Sequence, residues 1–488
     1  MQLPKLNENQ KKQLRLQIEA EIYRKSFKEF FYASSKVLYP QVEWDYPPFY
    51  AYICDLLQAE VERVIRREEK RYDYIFNLPF RAGKSILLSQ LFPVWCWIKD
   101  GSISLMQISH SETLATKHSH ASKMLIESEW FKERFPDLQL RVDTHAKSNY
   151  MNNYGGKRTS FGVNSGIIGE GCNIMIVDDI NNPADSQAVT NSINEVFTDT
   201  LYSRLNNPSI DFRIILQQRV ASNDICAYLL ESSNKSKYFH VCLPVMINGN
   251  INPPELIEIY EDGLLWKNRF TQKVIQDFQA TLGSRAFAGQ LLQQPVASEG
   301  NLIKRKWVQT ITLSQWLQLT DREKSITWNL YIDTAYTSKQ INDATAIILA
   351  CKFNNNVYIK KAWKYWQEFP ELTKTLEDII NKYGVSVAYI ESKASGLSVK
   401  QYLQRSGFNV ADLTPKRVNQ RDNDKTSRVN AVTPRIEGGH LFLIEDNWNE
   451  MVLQELTNFP YGADDITDVV VYSIDNLLNK SGFNYSML

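Results

Sequence analysis

Residues 72–98 read YDYIFNLPFRAGKSILLSQLFPVWCWI, and this stretch decides how the chain is read. YDYIFNL is a short apolar run of strand type, RAGKS is a turn, and ILLSQLFPVWCWI predicts a buried helix. The helix is too short, and too interrupted by Ser89, Gln90 and Pro93, to span a bilayer. A glycine turn between strand and helix points backbone N–H groups at a phosphate. A lysine there reaches the outer phosphates, and a hydroxyl next to it holds magnesium. Gly83, Lys84 and Ser85 supply these parts. The full GxxxxGKS spacing is not met, because Leu78 stands where its first glycine belongs. GKS alone is a weak signal, so the weight falls on context and on a second element.

That element is NIMIVDDI, residues 173–180. Four apolar residues place Asp178 at the C-terminal edge of a strand, where it can hold magnesium through water, and Asp179 beside it can orient an attacking water. A buried strand ending in two exposed acids is the plain alternative. Further strands are expected in SISLMQIS (102–109) and FRIILQQ (212–218), with helical patterns between. Alternation of strand and helix predicts a mostly parallel sheet with flanking helices.

A second strand series follows an Asn- and Pro-rich stretch at 246–256: WNLYIDTAY, ATAIILACKF, NVYIKKAWKYW and VSVAYIES, closed by a helix through DDITDVVVYSIDNLL. Two-metal phosphodiester cleavage needs carboxylates from separate elements converging on two magnesium or manganese ions. Asp333 ends the first strand of the series and Glu391 ends the fourth. Asp464, Asp465 and Asp468 compete for the third place, and Asp465 and Asp468, three apart, share a helical face. Asp343 is a candidate outer neighbour. A single acid of this kind is usually a strand-end or N-cap carboxylate. Three in this order at the ends of apolar elements predict a ribonuclease-H-like mixed α/β nuclease domain. Lys425 and Arg428, three apart, could contact DNA phosphates, as could Lys393, Lys416 and Arg417, and phosphate contacts give affinity without sequence information. A solvated charged loop is the bland reading of the same residues.

Bulk properties set the frame. The 488 residues are too many for one ordinary core. Lys plus Arg equals Asp plus Glu at 55 each, so no global field draws nucleic acid and any contact must come from local patches. The six cysteines contain no CxxC pair, which argues for reduced, buried thiols and against a zinc site. The polar, charged start is wrong for a signal peptide, and residues 9–37 should be helical. His118 and His120 suggest neither a metal site nor a hydrolase triad, and are read as surface or packed residues.

NLPFRAGKS resembles the modified phosphate loop of tailed-phage terminase large subunits, the DNA-packaging ATPase-nucleases, which often reads PPRxGKS. That family often lacks the first glycine. Phe80 departs from its second proline. The resemblance implies that Arg81 senses or stabilises the γ-phosphate and that Arg81, Ala82, Gly83, Lys84, Ser85, Asp178 and Gln218 line the nucleotide site. ISHSETLATKHS, GIIGEGCNIMIVDDI and LGSRAFAGQLLQQPVASEGNLIKRKW are similar to further family segments. WDYPPFYAYICDLLQ resembles the part that shelters the adenine, although Phe49 and Tyr50 read better as core. IILQQRVASNDICAYLL stands in the place of the coupling motif, with Val220 and Ala221 replacing its usual residues, so Gln217, Gln218 and Arg219 all stay open as the coupling residue.

The resemblance implies a helical segment at 1–40, a motor domain at 41–245, a connector at 246–325, a nuclease domain at 326–480 and a tail at 481–488. The implied function is ATP-driven translocation of double-stranded DNA into a procapsid and cutting of concatemeric DNA, in the host cell cytoplasm. The implied cofactors are ATP and Mg2+, with Mg2+ or Mn2+ at the nuclease site. The implied catalytic residues are Asp179, Arg81, Asp333, Glu391, Asp465 and Asp468. Ser85, Asp178, Asp333, Glu391, Asp465 and Asp468 would hold metal, and Lys393, Lys425 and Arg428 would hold DNA. Implied partners are a small terminase subunit, the portal of the procapsid and further copies of the chain in a ring, with no membrane. Two rivals are a helicase-nuclease of repair or restriction, which needs a second motor domain, and a catalytically inactive docking protein.

Overall fold

The computed structural model describes residues 7–141, 148–166, 169–232, 235–295, 302–334, 344–391, 395–413, 425–461 and 463–478. Asp343, Lys393, Lys416 and Arg417 lie outside the described residues. The chain divides into two compact units, residues 1–276 with 285–297 and residues 277–284 with 298–488. No helix among the described residues is long and apolar enough to cross a membrane.

The first unit is built on strands β1 (Asp73–Asn77), β2 (Leu105–Ser109), β3 (Tyr150–Met151), β4 (Lys157–Gly162), β5 (Ile174–Asp178), β6 (Phe212–Leu216) and β7 (Tyr238–Cys242). They form one seven-stranded sheet in the order β3-β4-β2-β5-β6-β1-β7. Every pairing is parallel except β3 with β4. Parallel strands covered on both faces read as continuous apolar runs, and β1, β2, β5 and β6 are buried at every position. Ile75, Met106, Val177 and Ile215 share one core, and burying an aliphatic side chain of this size contributes roughly 1.5–3 kcal/mol. In register, Asp178 pairs with both Ser109 and Leu216, and Phe76 pairs with Leu216, so four strands release their chains at one edge.

The helix expected from Ile86 is present, but its first part, Ile86–Leu91, is π-helical, and the α-helix runs only over Phe92–Lys99. Proline explains the change. Pro93 has no N–H to return to the carbonyl of Ser89. That carbonyl instead accepts a bond from Arg158 Nη2 at 2.6 Å. Widened turns of this kind are rare and occur often at functional sites.

The second unit carries β8 (Gln309–Ile311), β9 (Asn329–Asp333), β10 (Thr345–Phe353), β11 (Asn356–Tyr365), β12 (Val387–Ile390), β13 (Val410–Asp412) and β14 (Leu441–Ile444). The sheet order is β13-β12-β9-β10-β11-β14-β8. β9, β10 and β11 are antiparallel neighbours, and the outer pairings are parallel. Strand alternation sorts the two faces. Tyr331, Ala346, Ile348 and Ile359 pack with Val469 and Val470 of the closing helix Asp465–Leu478 and with Val429 and Val432 of the helix Lys425–Glu437. Leu330, Ile332, Ile347 and Leu349 pack on the opposite side with Leu376, Val399 and Leu403. Asp333, two residues beyond Tyr331, therefore points to the face covered by the closing helix. Glu391, two beyond Tyr389, does the same.

Candidate functional site

Two sites emerge, one in each unit. In the first, the chain leaves β1 at the sheet edge and turns back on itself. Arg81 has φ 60° and Gly83 has φ 72°. A non-glycine residue at positive φ is strained, and such strain gathers at functional turns. The turn is backed by Tyr50, whose hydroxyl donates to the Ala82 carbonyl at 2.9 Å. A Cβ at Gly83 would stand 2.1 Å from that hydroxyl oxygen, so only glycine fits there. Tyr50 is buried as a core residue should be, and it also braces the loop.

Lys84 is 5% exposed, and its Nζ lies 3.1 Å from Asp179 Oδ1, in ion-pair contact without an aligned hydrogen bond. Ser85 Oγ donates to Asp178 Oδ1 at 3.2 Å, and Ser89 Oγ donates to Asp178 Oδ2 at 2.6 Å. Burial pushes the Asp178 carboxyl above its ordinary range, opposed by Ser89, Lys84 and Ser85. A buried ammonium with no aligned acceptor of its own, next to a glycine turn, fits a phosphate group. The pairing of Ser85 with Asp178 fits a magnesium ion held between hydroxyl and carboxylate.

The three candidates for the coupling role differ in their surroundings. Gln217 is buried, and its amide bonds Asn181 O and Gln218 O. Gln218 N–H donates to Asp179 Oδ1 at 3.3 Å, and its Oε1 is buried without a hydrogen bond. Arg219 Nε is 3.0 Å from both carboxylate oxygens of Asp224, the N-cap of the helix Ile225–Glu231.

His118 was not singled out by its sequence context. Of the two readings, surface or packed, it is packed, and its Nε2 lies 3.5 Å from Asp178 Oδ2. Its Nδ1 faces Gln90 Nε2 at 3.1 Å, and Tyr39 donates to Gln90 Oε1 at 2.6 Å. Burial and the nearby Arg158 charge lower its pKa to about 4, so it stands neutral beside the acid. An isolated histidine in a helix carries no pattern that announces such a position.

In the second unit, Asp333, Glu391 and Asp468 come together from β9, the end of β12 and the closing helix. Burial, Glu391 and Asp468 push the Asp333 carboxyl up to about 7, against the opposing charge of Lys425. Asp468 is raised as well, by burial, and is opposed by Lys425 and Arg428. Lys425 Nζ bridges Asp464 Oδ1 at 2.9 Å and Asp468 Oδ2 at 3.0 Å. Arg428 Nη2 donates to Asp468 Oδ1 at 3.2 Å, and Nη1 bonds the Tyr472 hydroxyl, which reaches Glu391 Oε1 at 3.1 Å.

Asp465 stands apart from this set. Its Oδ2 lies 2.9 Å from Lys364, which also pairs with Glu455, and it adds only a weaker repulsion at Asp333. Among the described residues, no three metal-binding side chains stand at ligand spacing. The donor chemistry still fits hard divalent ions, since the converging groups are carboxylates whose mutual repulsion a cation would relieve. Arg428, expected on DNA phosphates, is turned inward and its side chain is 12% exposed.

Residues 330–477 match the family described as Terminase RNaseH-like domain. In fold, the chain is similar to the large terminase of a thermophilic bacteriophage, with 13% identity and a TM-score of 0.53, over 86% of this chain and 98% of that one. The same phage protein in complex with ADP is similar at 13% identity and TM-score 0.51, over 86% and 98% of the two chains. Its complex with ATP-γ-S gives 13% and 0.50, over 85% and 98%. No curated protein matches the chain. The chain thus carries the fold of a phage large terminase, an ATPase-type α/β unit and a ribonuclease-H-like unit, as the sequence led us to expect. Residues 330–477 thus match a terminase nuclease-domain family, and the chain shares its overall fold class with a phage large terminase.

Proposed function

We propose that this chain is the motor and nuclease of a DNA-packaging machine, hydrolysing ATP to move double-stranded DNA into a procapsid and cutting concatemeric DNA with two metal ions. The observation that carries the reading is the convergence of Asp333, Glu391 and Asp468 on one sheet face, inside the region that matches the terminase RNaseH-like family. In the other unit, Lys84 and Arg81 would draw charge from the transferred phosphoryl group. Ser85 and Asp178 would hold the magnesium ion, which supplies charge neutralisation between the outer phosphates. Asp179 would orient the attacking water, and Gln218, bonded to it, would report the state of the nucleotide.

At the nuclease centre, Asp333, Glu391 and Asp468 would hold the metal ions, which activate water and stabilise the leaving oxygen. Asp465 would act from the margin through Lys364. Lys393 and Lys425 would meet DNA phosphates. We retain the division at 1–40, 41–245, 246–325, 326–480 and 481–488 as the functional one. A small subunit, a portal and a ring of copies in the host cytoplasm complete the proposal. A helicase-nuclease is disfavoured because the second sheet of the described residues presents acids where a second motor would present a phosphate loop. An inactive docking protein would have no cause to keep Lys84 and all the acids. The test is DNA-stimulated ATP hydrolysis and manganese-dependent plasmid cutting by the purified chain, with and without its small subunit. Both activities are expected, and absence of both would refute the enzyme reading.

A further inference from the structure

The closing helix Asp465–Leu478 presents Asp468 and Tyr472 one turn apart, so both side chains lie on one face. Arg428, from the helix Lys425–Glu437, spans the two. Its Nη2 donates to Asp468 Oδ1 at 3.2 Å, its Nη1 bonds Tyr472 Oη, and its guanidinium carbon lies 5.0 Å from the centre of the tyrosine ring. A guanidinium is planar and donates in a fixed fork, so engaging both groups fixes their spacing. The tyrosine hydroxyl accepts from the arginine and can give its own proton to one acceptor only. That acceptor is Glu391 Oε1, at 3.1 Å. Glu391 stands just beyond the end of β12, and its backbone N–H donates to the Ile332 carbonyl of β9 at 3.3 Å, so the hydroxyl acts on the orientation of the side chain. Tyr472 is buried, which keeps water from competing for either bond.

We propose that Tyr472 is a positioning residue of the nuclease centre: fixed by Arg428, its hydroxyl holds the Glu391 carboxylate in the orientation that receives a divalent metal ion. The inference rests on the nuclease reading above. It also reassigns Arg428, which serves the geometry of the acids and does not grip DNA. Outer partners of metal-binding side chains commonly change metal affinity by about 10- to 100-fold when removed.

The test uses the full chain with Mn2+ as the probe, read by electron paramagnetic resonance for binding and by the Mn2+ dependence of plasmid cutting. Tyr472→Phe keeps the ring and its contact with the guanidinium but loses the hydroxyl. Its Mn2+ affinity is expected to fall about tenfold, with the cutting rate at saturating Mn2+ largely preserved. 4-Aminophenylalanine at the same position restores a donor toward Glu391 and should recover affinity. Arg428→Lys, which cannot engage both groups in a fork, should shift Mn2+ dependence in the same direction as the phenylalanine variant. Thermal melting in excess chelator separates misfolding from the proposed effect, and the aminophenylalanine protein answers for a phenylalanine variant that melts early. A Tyr472→Phe titration that superimposes on wild type would overturn the proposal. So would a loss of saturating rate with unchanged affinity. Asp333→Asn is the control for the underlying reading: if it binds Mn2+ as wild type does, the metal centre itself is misplaced, whatever Tyr472 does.

Discussion

The two sites use the same kind of residue, a carboxylate at the end of a strand, and prepare it in opposite ways. In the first unit the preparation is steric. Arg81 and Gly83 sit at positive φ, Tyr50 presses on the turn, and one ammonium, Lys84, faces two acids. In the second unit it is electrostatic. Asp333, Glu391 and Asp468 repel one another, and Lys425 and Arg428 hold Asp464 and Asp468 beside them. A phosphate site must offer backbone donors in a set shape, so it is built from backbone strain. A metal site must offer charge, so it is built from repulsion that a cation relieves.

The largest effect that separates the sites should come from Asp178→Ala. It removes the partner of both Ser85 and Ser89, and ATP hydrolysis should fall by about a hundredfold or more with plasmid cutting intact. A parallel fall in cutting would mean that the sites are not independent. Next comes Gly83→Ala, which forces a Cβ against Tyr50 at positive φ and should cost about 1–3 kcal/mol with loss of fluorescent-nucleotide binding. Gly384→Ala, also at positive φ but with nothing near its added carbon, should cost only about 1 kcal/mol in the melting curve. Equal costs would show that the phosphate turn is not sterically built.

A change in pH should act on the second site. Asp333 is pushed up to about 7, so the fold favours its protonated form. For an acid raised in this way, the metal-free fold loses stability as pH climbs from the ordinary carboxylate range through about 7, while metal binding, which needs the carboxylate, strengthens over the same window. Mn2+ affinity measured from pH 5.5 to 8.5, roughly a unit and a half either side of the midpoint, should show this rise. Asp333→Asn should flatten it. The smallest effect is Tyr50→Phe, which deletes one buried bond to the loop and should cost about 1 kcal/mol of stability, leaving cutting unchanged.

Much of this was legible before any coordinates. Apolar runs ending in acids located β5, β9 and β12, because buried parallel strands and strand-end carboxylates both leave local patterns. The sequence also named Lys84, Asp178, Asp333, Glu391 and the competing acids of the closing helix. It could not choose among those acids, since helical spacing puts Asp465 and Asp468 on one face, whereas Lys364 on β11 draws Asp465 aside. The π-helical turn after Ser85 depends on Arg158, more than sixty residues away, capturing a carbonyl that Pro93 cannot use. His118 behind Asp178, Tyr50 behind Gly83 and Arg428 between Asp468 and Tyr472 are likewise contacts between distant segments. Residue type and spacing say nothing of them.

The proposed function places two separate chemistries in one chain, one in each unit. The direct measurement sets Lys84→Ala and Asp333→Asn side by side, assaying ATP hydrolysis and manganese-dependent plasmid cutting on the same preparations. Lys84→Ala is expected to lose hydrolysis and still cut, and Asp333→Asn to hydrolyse ATP and no longer cut. Cutting lost with Lys84→Ala while metal binding is retained, or cutting retained by Asp333→Asn, would contradict the proposal.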